Sequence, residues 1–331
     1  MSDKPKISVV LCTVRPDQAY VDYPDWHCLG TLIQDLEKQT FKDFEFIIVD
    51  GLFGLRNFVL PQTFYPVRWL PPKRNIWTEG KRFAVCSYRN TALRYAQGEL
   101  VVNLDDACRL PPEFLEYYWT AYSQKKHCMV LRWPEHGDHR LQDCVIRGVP
   151  GRSATSNQVE FYPDPPIYGF GSYPLEVALK LNGYDEAYDG GQGLEDCDWG
   201  VRLLNVGVKF ILMQVPGFQL LTQSRHDPRV IDLEMPVAKC CNRVWRLQRI
   251  ERHMHVANTQ ATWTRGALQD LVSAPCQLLN ADGSCSYHAA FTKCDYFKVF
   301  ARNGHPAAFA LLENYQQFIF DLRQERQAIH G

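Results

Sequence analysis

From Lys6 to Gln124 the chain alternates short apolar runs with helix-patterned segments, and that rhythm narrows the fold more than any other feature. KISVVLCTV and DFEFIIVDG are apolar and rich in β-branched residues, the pattern of strands buried on both faces. Between them, LGTLIQDLEKQ sets Leu29, Leu32, Ile33 and Leu36 at helical spacing. YPVRWLPP reads as a third strand, and SYRNTALRYAQGE as a helix stopped by Gly98. LVVNLDDA reads as a fourth strand, followed by a helix, PPEFLEYYWTAYSQ, whose prolines suit a first turn. Strands joined by helices pair in parallel, so the expected class is α/β with a largely parallel sheet. Such sheets bind ligands beyond the carboxyl ends of their strands. Asp50 and the pair Asp105-Asp106 fall at those ends.

Beyond this region regularity lapses from about 133 to 168, a stretch rich in Pro, Gly, Asp and His. It resumes with YPLEVALKLNGYDE, a helix capped by Asn182-Gly183, and with the strand KFILMQV. From Pro236 the texture becomes helical, basic and cysteine-bearing, which divides the chain into residues 1–235 and 236–331. The most apolar window, LLNVGVKFILMQVPGFQLL, is broken by Lys209, Gln214 and Pro216, so no membrane span is expected. Twelve scattered cysteines, with no secretory signal ahead of them, read as reduced thiols of a cytoplasmic protein.

Two acidic clusters carry the chemistry. Asp105 and Asp106 end an apolar strand, where two carboxylates need a donor network or a cation. They read either as helix caps ahead of Pro111 or as ligands of Mg²⁺ or Mn²⁺ that neutralise a diphosphate. In GGQGLEDCDWGVRLLNVGVKF, Glu195, Asp196 and Asp198 crowd a helix start. Asp198 and Arg202 are four apart and can pair on a helix, so a capped, salt-bridged helix is one reading. A general base among the three carboxylates is the other, since crowding raises a carboxyl pKa and a helix N-terminus lowers it.

ISVVLCTVRP, LEKQTFKDFEFIIVDG, YRNTALRYAQGELVVNLDDA and LNGYDEAYDGGQGLEDCDWGVRLLNVGVKF together resemble the GT-A-fold, family-2-like glycosyltransferases that use nucleotide-sugar donors. The resemblance runs from about residue 6 to 230. It implies a Rossmann-like, mostly parallel central sheet flanked by helices, ahead of the helical C-terminal extension read from the texture after Pro236. It also implies a donor site at Thr13, Arg15, Asp50, Arg89 and Asp105, with Asp50 on the nucleoside and Arg89 near the diphosphate. The metal would lie at Asp105, Asp106 and His226, and Asp196 would be the base with Glu195 on the acceptor side. The family often has a further acidic residue where this chain has Ala107, so either aspartate could ligate. The implied activity is inverting transfer from a UDP-sugar or related donor; a non-catalytic module that holds a nucleotide sugar is the alternative.

The C-terminal part leaves the acceptor open. Arg243, Arg246, Arg249 and Arg252 recur every three residues, as a solvated helix face or as a polyanion-binding stripe. The stripe would suit a hydroxymethylated DNA base as acceptor, against a glycan or a small molecule. Cys276, Cys285, His288 and Cys294 fit no compact zinc spacing, so free thiols are expected there ahead of structural Zn²⁺.

Overall fold

The computed structural model describes residues 4–16, 27–74, 78, 84–125, 127–131, 158–160, 170–189, 195–220, 257 and 321–331. The four expected strands form as β1 (Ile7–Thr13), β2 (Phe44–Asp50), β3 (Val67–Leu70) and β4 (Leu100–Leu104). They pair in parallel in the order β3-β2-β1-β4. Every residue of β2 and β4 is buried, which is why these segments carry apolar runs rather than alternation. After the two-residue β5 (Cys108–Arg109), the chain forms β6 (His127–Leu131), β7 (Gln158–Glu160) and β8 (Ser172–Pro174). β8 closes the central sheet antiparallel to β4. β9 (Lys209–Met213) lies between β6 and β7 in a second sheet, and β10 (Gln219–Leu220) pairs with β5.

The helices are α1 (Cys28–Glu37), α2 (Val85–Tyr95), α3 (Phe114–Lys125), α4 (Leu175–Lys180), α5 (Glu195–Asn205) and α6 (Leu322–His330). None among the described residues is long and apolar enough to cross a membrane. α4 ends as its sequence indicates: Asn182 and Gly183 take φ of 56° and 71°, and the Gly183 amide donates to the Ala178 carbonyl. The aspartates do not cap α3, which begins nine residues after Asp105. The loop that follows them is instead pinned to α1. Buried Asp35 accepts from Arg109 Nε at 2.9 Å and from the Leu110 amide at 3.0 Å, and Gln39 bonds Pro111 and Leu115.

Gly98 differs from its expected part. α2 stops at Tyr95, and Gly98 instead lets the chain press against β1, where an added Cβ would lie 2.4 Å from the Ser8 amide nitrogen. That approach is fastened by Ser8 Oγ, which accepts from the Gly98 amide at 2.8 Å and donates to buried Glu45 at 2.7 Å. The described end of the C-terminal part, α6, docks on the C-terminal end of α2. Arg326 donates to the Leu93 and Ala96 carbonyls, and Arg94 pairs with Glu325 at 2.5 Å. Gly98→Ala should lower stability by about 1–3 kcal/mol through overpacking against backbone; the urea midpoint measures it.

Candidate functional site

Parallel register brings three strand ends to one edge. Thr13 lies opposite Asp50 across β1 and β2, and Leu11 opposite Leu104 across β1 and β4. Thr13, Asp50 and Asp105-Asp106 therefore meet at the carboxyl edge, where an α/β sheet binds ligands. The Thr13 hydroxyl donates to Asp106 Oδ2 at 2.5 Å. Arg15 Nη1 donates to Asp106 Oδ1 and, at 3.3 Å, to Asp105 Oδ1. The donor network needed by two adjacent carboxylates is thus present, and Arg15 is its centre.

The two aspartates are not equivalent. The Asp106 side chain is 6% exposed and both of its oxygens have donors, whereas the Asp105 side chain is 39% exposed. Burial, then the Asp105 charge, pushes the Asp106 carboxyl upward. For Asp105, burial is outweighed by Arg15 and by donors from Asp106 and the Ala107 amide, so its carboxyl lies below the ordinary value. Asp105 is the ionised, accessible member, and its hard oxygen suits Mg²⁺ or Mn²⁺ with phosphate oxygens as co-ligands. No cluster of three or more His, Cys, Asp or Glu side chains with metal-binding geometry occurs among the described residues. His226 lies outside those residues.

Asp50 is enclosed. Oδ1 accepts from the Leu52 amide at 2.9 Å and Arg56 Nη2 at 3.1 Å; Oδ2 accepts from Arg56 Nε at 2.8 Å and Trp69 Nε1 at 3.0 Å. Four donors occupy a carboxylate with about four acceptor positions. Arg56 also donates to the Arg15 carbonyl at 2.6 Å, tying the β2 loop to the β1 loop. No sequence signal marked Arg56 or Trp69, because neither stands at helical or strand spacing from Asp50.

The second acidic cluster is joined to the first through α2. Arg89, on the second turn of α2, is 9% exposed and lies over the Tyr184 ring at 4.9 Å. Burial opposes its charge; Tyr184, then Glu195, favour it, and the net shift is upward. Asp196, in the first turn of α5, is 4% exposed. Burial raises its carboxyl above the ordinary aspartate value, and Arg89 limits the rise. Arg89 Nη1 and Asp196 Oδ2 are buried without a hydrogen-bond partner among the described residues. Cys12, on β1, feels the charges of both Arg89 and Asp106.

Asn90 makes this convergence rigid. Its Nδ2 donates to the Tyr184 carbonyl at 2.9 Å and to Glu186 at 3.0 Å, and its Oδ1 accepts from the Tyr184 amide at 2.8 Å. Gly183 is required under it, since a Cβ there would lie 2.3 Å from Asn90 Oδ1. Lys73 reaches Glu186 at 2.6 Å, and Asp189 accepts from the Cys86 and Ser87 amides at the start of α2. α5 is fixed by Trp199, stacked on Tyr184 at 4.5 Å, and by Arg202, which donates to the Gly183 carbonyl at 2.8 Å. Asp198 pairs with Arg202 at 2.8 Å as the i,i+4 spacing indicated. The spacing thus found the pair, but not the aromatic and amide contacts, which span distant segments. Arg243, Arg246, Arg249, Arg252, Cys276, Cys285, His288 and Cys294 lie outside the described residues.

Residues 20–147 match the model of the family described as glycosyl transferase family 2. This match agrees with the resemblance carried by the motifs. Among solved structures, S. aureus TarS is similar at 15% identity and a TM-score of 0.42, covering 90% of this chain and 55% of its own. TarS 1-349 in complex with UDP is similar at 15% identity and 0.41, covering 91% of each chain. GalNAc-T7 with UDP, GalNAc and Mn²⁺ gives 12% and 0.46, covering 74% of this chain and 48% of its own. The chain thus spans about half of the full TarS and GalNAc-T7 chains. No curated protein matches the sequence.

Removing one partner of a buried ion pair leaves an uncompensated charge. Asp198→Asn should therefore destabilise the fold by about 3–5 kcal/mol, read as a drop in the denaturant midpoint at unchanged slope.

Proposed function

We propose that the chain transfers a hexosyl group from a nucleotide-diphosphate sugar, a UDP-sugar first among them, to an acceptor hydroxyl with inversion at the anomeric carbon. The observation that carries this reading is two buried atoms, Arg89 Nη1 and Asp196 Oδ2, that have no hydrogen-bond partner among the described residues. Buried polar atoms left unpaired are costly, so such atoms at a site are suited to groups that a substrate brings. A guanidinium suits a diphosphate oxygen. A carboxylate with a raised pKa suits the proton of a hydroxyl.

In this reading Asp196 takes the acceptor proton as the hydroxyl oxygen attacks the anomeric carbon. The bond from that carbon to the diphosphate oxygen breaks, and the nucleoside diphosphate leaves with the electron pair. Arg89 stabilises the charge that grows on it. A divalent ion held at Asp105 would, when bound, add Lewis-acid neutralisation of the same leaving group. Glu195, next to the base and partly exposed, faces the acceptor side. Asp50 serves the nucleoside end by fixing Arg56 and Trp69, whose positions shape that end of the edge.

The test is nucleotide release from UDP-glucose, UDP-galactose, UDP-GlcNAc or GDP-mannose in Mn²⁺, with candidate acceptors. Asp196→Asn should cut release by at least about 100-fold, the scale of general-base catalysis, while donor binding by calorimetry stays within about threefold, since the substitution removes a base and not a donor contact. Equal release by wild type and variant would remove the base assignment, and no release from any donor would favour the non-catalytic module.

A further inference from the structure

The feature that the reaction scheme leaves unused is Arg15. Its guanidinium spans both members of the aspartate pair, and its side chain is 15% exposed. Its backbone is held at two points: the amide donates to Thr13 Oγ1 at 3.2 Å, and the carbonyl accepts from Arg56 Nη2 at 2.6 Å. Arg56 is in turn gripped by Asp50. A cation is therefore delivered onto Asp105 and Asp106 by a fixed segment of main chain, at the edge where a divalent ion would neutralise a diphosphate.

We propose that Arg15 is a built-in counter-cation of the Asp105–Asp106 pair, which competes with a divalent ion for these carboxylates and makes metal binding depend on the nucleotide. The inference rests on the glycosyltransferase reading of the site. The guanidinium offsets one unit of the pair's negative charge, so the carboxylates attract a divalent ion less strongly with it than without it. The weaker of the two contacts, 3.3 Å to Asp105 Oδ1, is also the one on the exposed aspartate. Asp106 is held by Thr13 as well as by Arg15 and stays anchored when Asp105 is released. A nucleotide diphosphate offers Arg15 anionic oxygens in exchange, so a nucleotide that draws the guanidinium off Asp105 opens that carboxylate to the ion. The coupling is reciprocal, because each ligand must raise the affinity for the other by the same factor. A metal-first order of binding is disfavoured by the same contacts.

Mn²⁺ binding to the full chain, followed by the electron paramagnetic resonance of the free ion with and without UDP, tests this without reference to turnover. In the wild type UDP should tighten Mn²⁺ binding. Arg15→Gln, without nucleotide, should bind Mn²⁺ at least roughly tenfold more tightly than the wild type, as loss of a nearby like charge allows. The gain from UDP should shrink in the variant. Arg15→Met, which keeps the apolar stem, carries the same measurement if the glutamine variant does not fold. Variant affinity equal to or below that of the wild type overturns the proposal. The glycosyltransferase reading is judged separately, by wild-type binding of UDP and release of nucleotide from the sugar donors.

Discussion

The site depends on one amide side chain. Asn90 uses both ends of its carboxamide on the Tyr184–Glu186 turn, and so fixes α2 against a segment ninety-odd residues further on. Arg89 is its neighbour and inherits its position. Tyr184, held on the other side, carries Arg89 on its ring and Trp199 against its face, and Trp199 belongs to the helix that begins with Glu195 and Asp196. Arg89 and the helix start at Glu195-Asp196 are therefore assembled through a single hydrogen-bonded joint. A buried network of this kind is sensitive to every member, because an unsatisfied amide in a low-dielectric interior is costly.

Around that joint the structure places buried charges in pairs. Asp50 meets Arg56, Glu186 meets Lys73, Asp198 meets Arg202, and Asp106 meets Arg15. Such pairs contribute little net stability, since desolvation offsets the Coulombic attraction. What they supply is position. Each ties a loop or helix to another element at the carboxyl side of the sheet, where apolar packing alone would leave the loops unspecified.

Legibility in the sequence divides along the range of the interactions. The strands could be read because burial on both faces leaves continuous apolar runs in β2 and β4. The Asp198–Arg202 pair and the Asn182-Gly183 cap could be read because their partners lie within a few residues. Gly98 was misread for a physical reason: a glycine announces permissiveness, and its contact with Ser8 lies ninety residues away. Arg56 and Trp69 were invisible on the same ground, since their partner Asp50 meets them only when the sheet is built. The family pattern pointed to Asp50, Asp105-Asp106 and Arg15, but not to Arg56, which occupies both oxygens of Asp50.

The docking of α6 on α2 bears on how the protein acquires its form during translation. Arg94 and Glu325 are 231 residues apart, and the Leu93 and Ala96 carbonyls receive Arg326 only once that intervening length has been made. The helix that carries Arg89 is therefore assembled early by a ribosome but clasped late. During that interval the chain just beyond the helix is held to β1 by the Gln97 and Gly98 amides, which donate to Ser8 Oγ. The strands of the parallel sheet are thus all synthesised well before the helix behind Arg89 can receive its final brace.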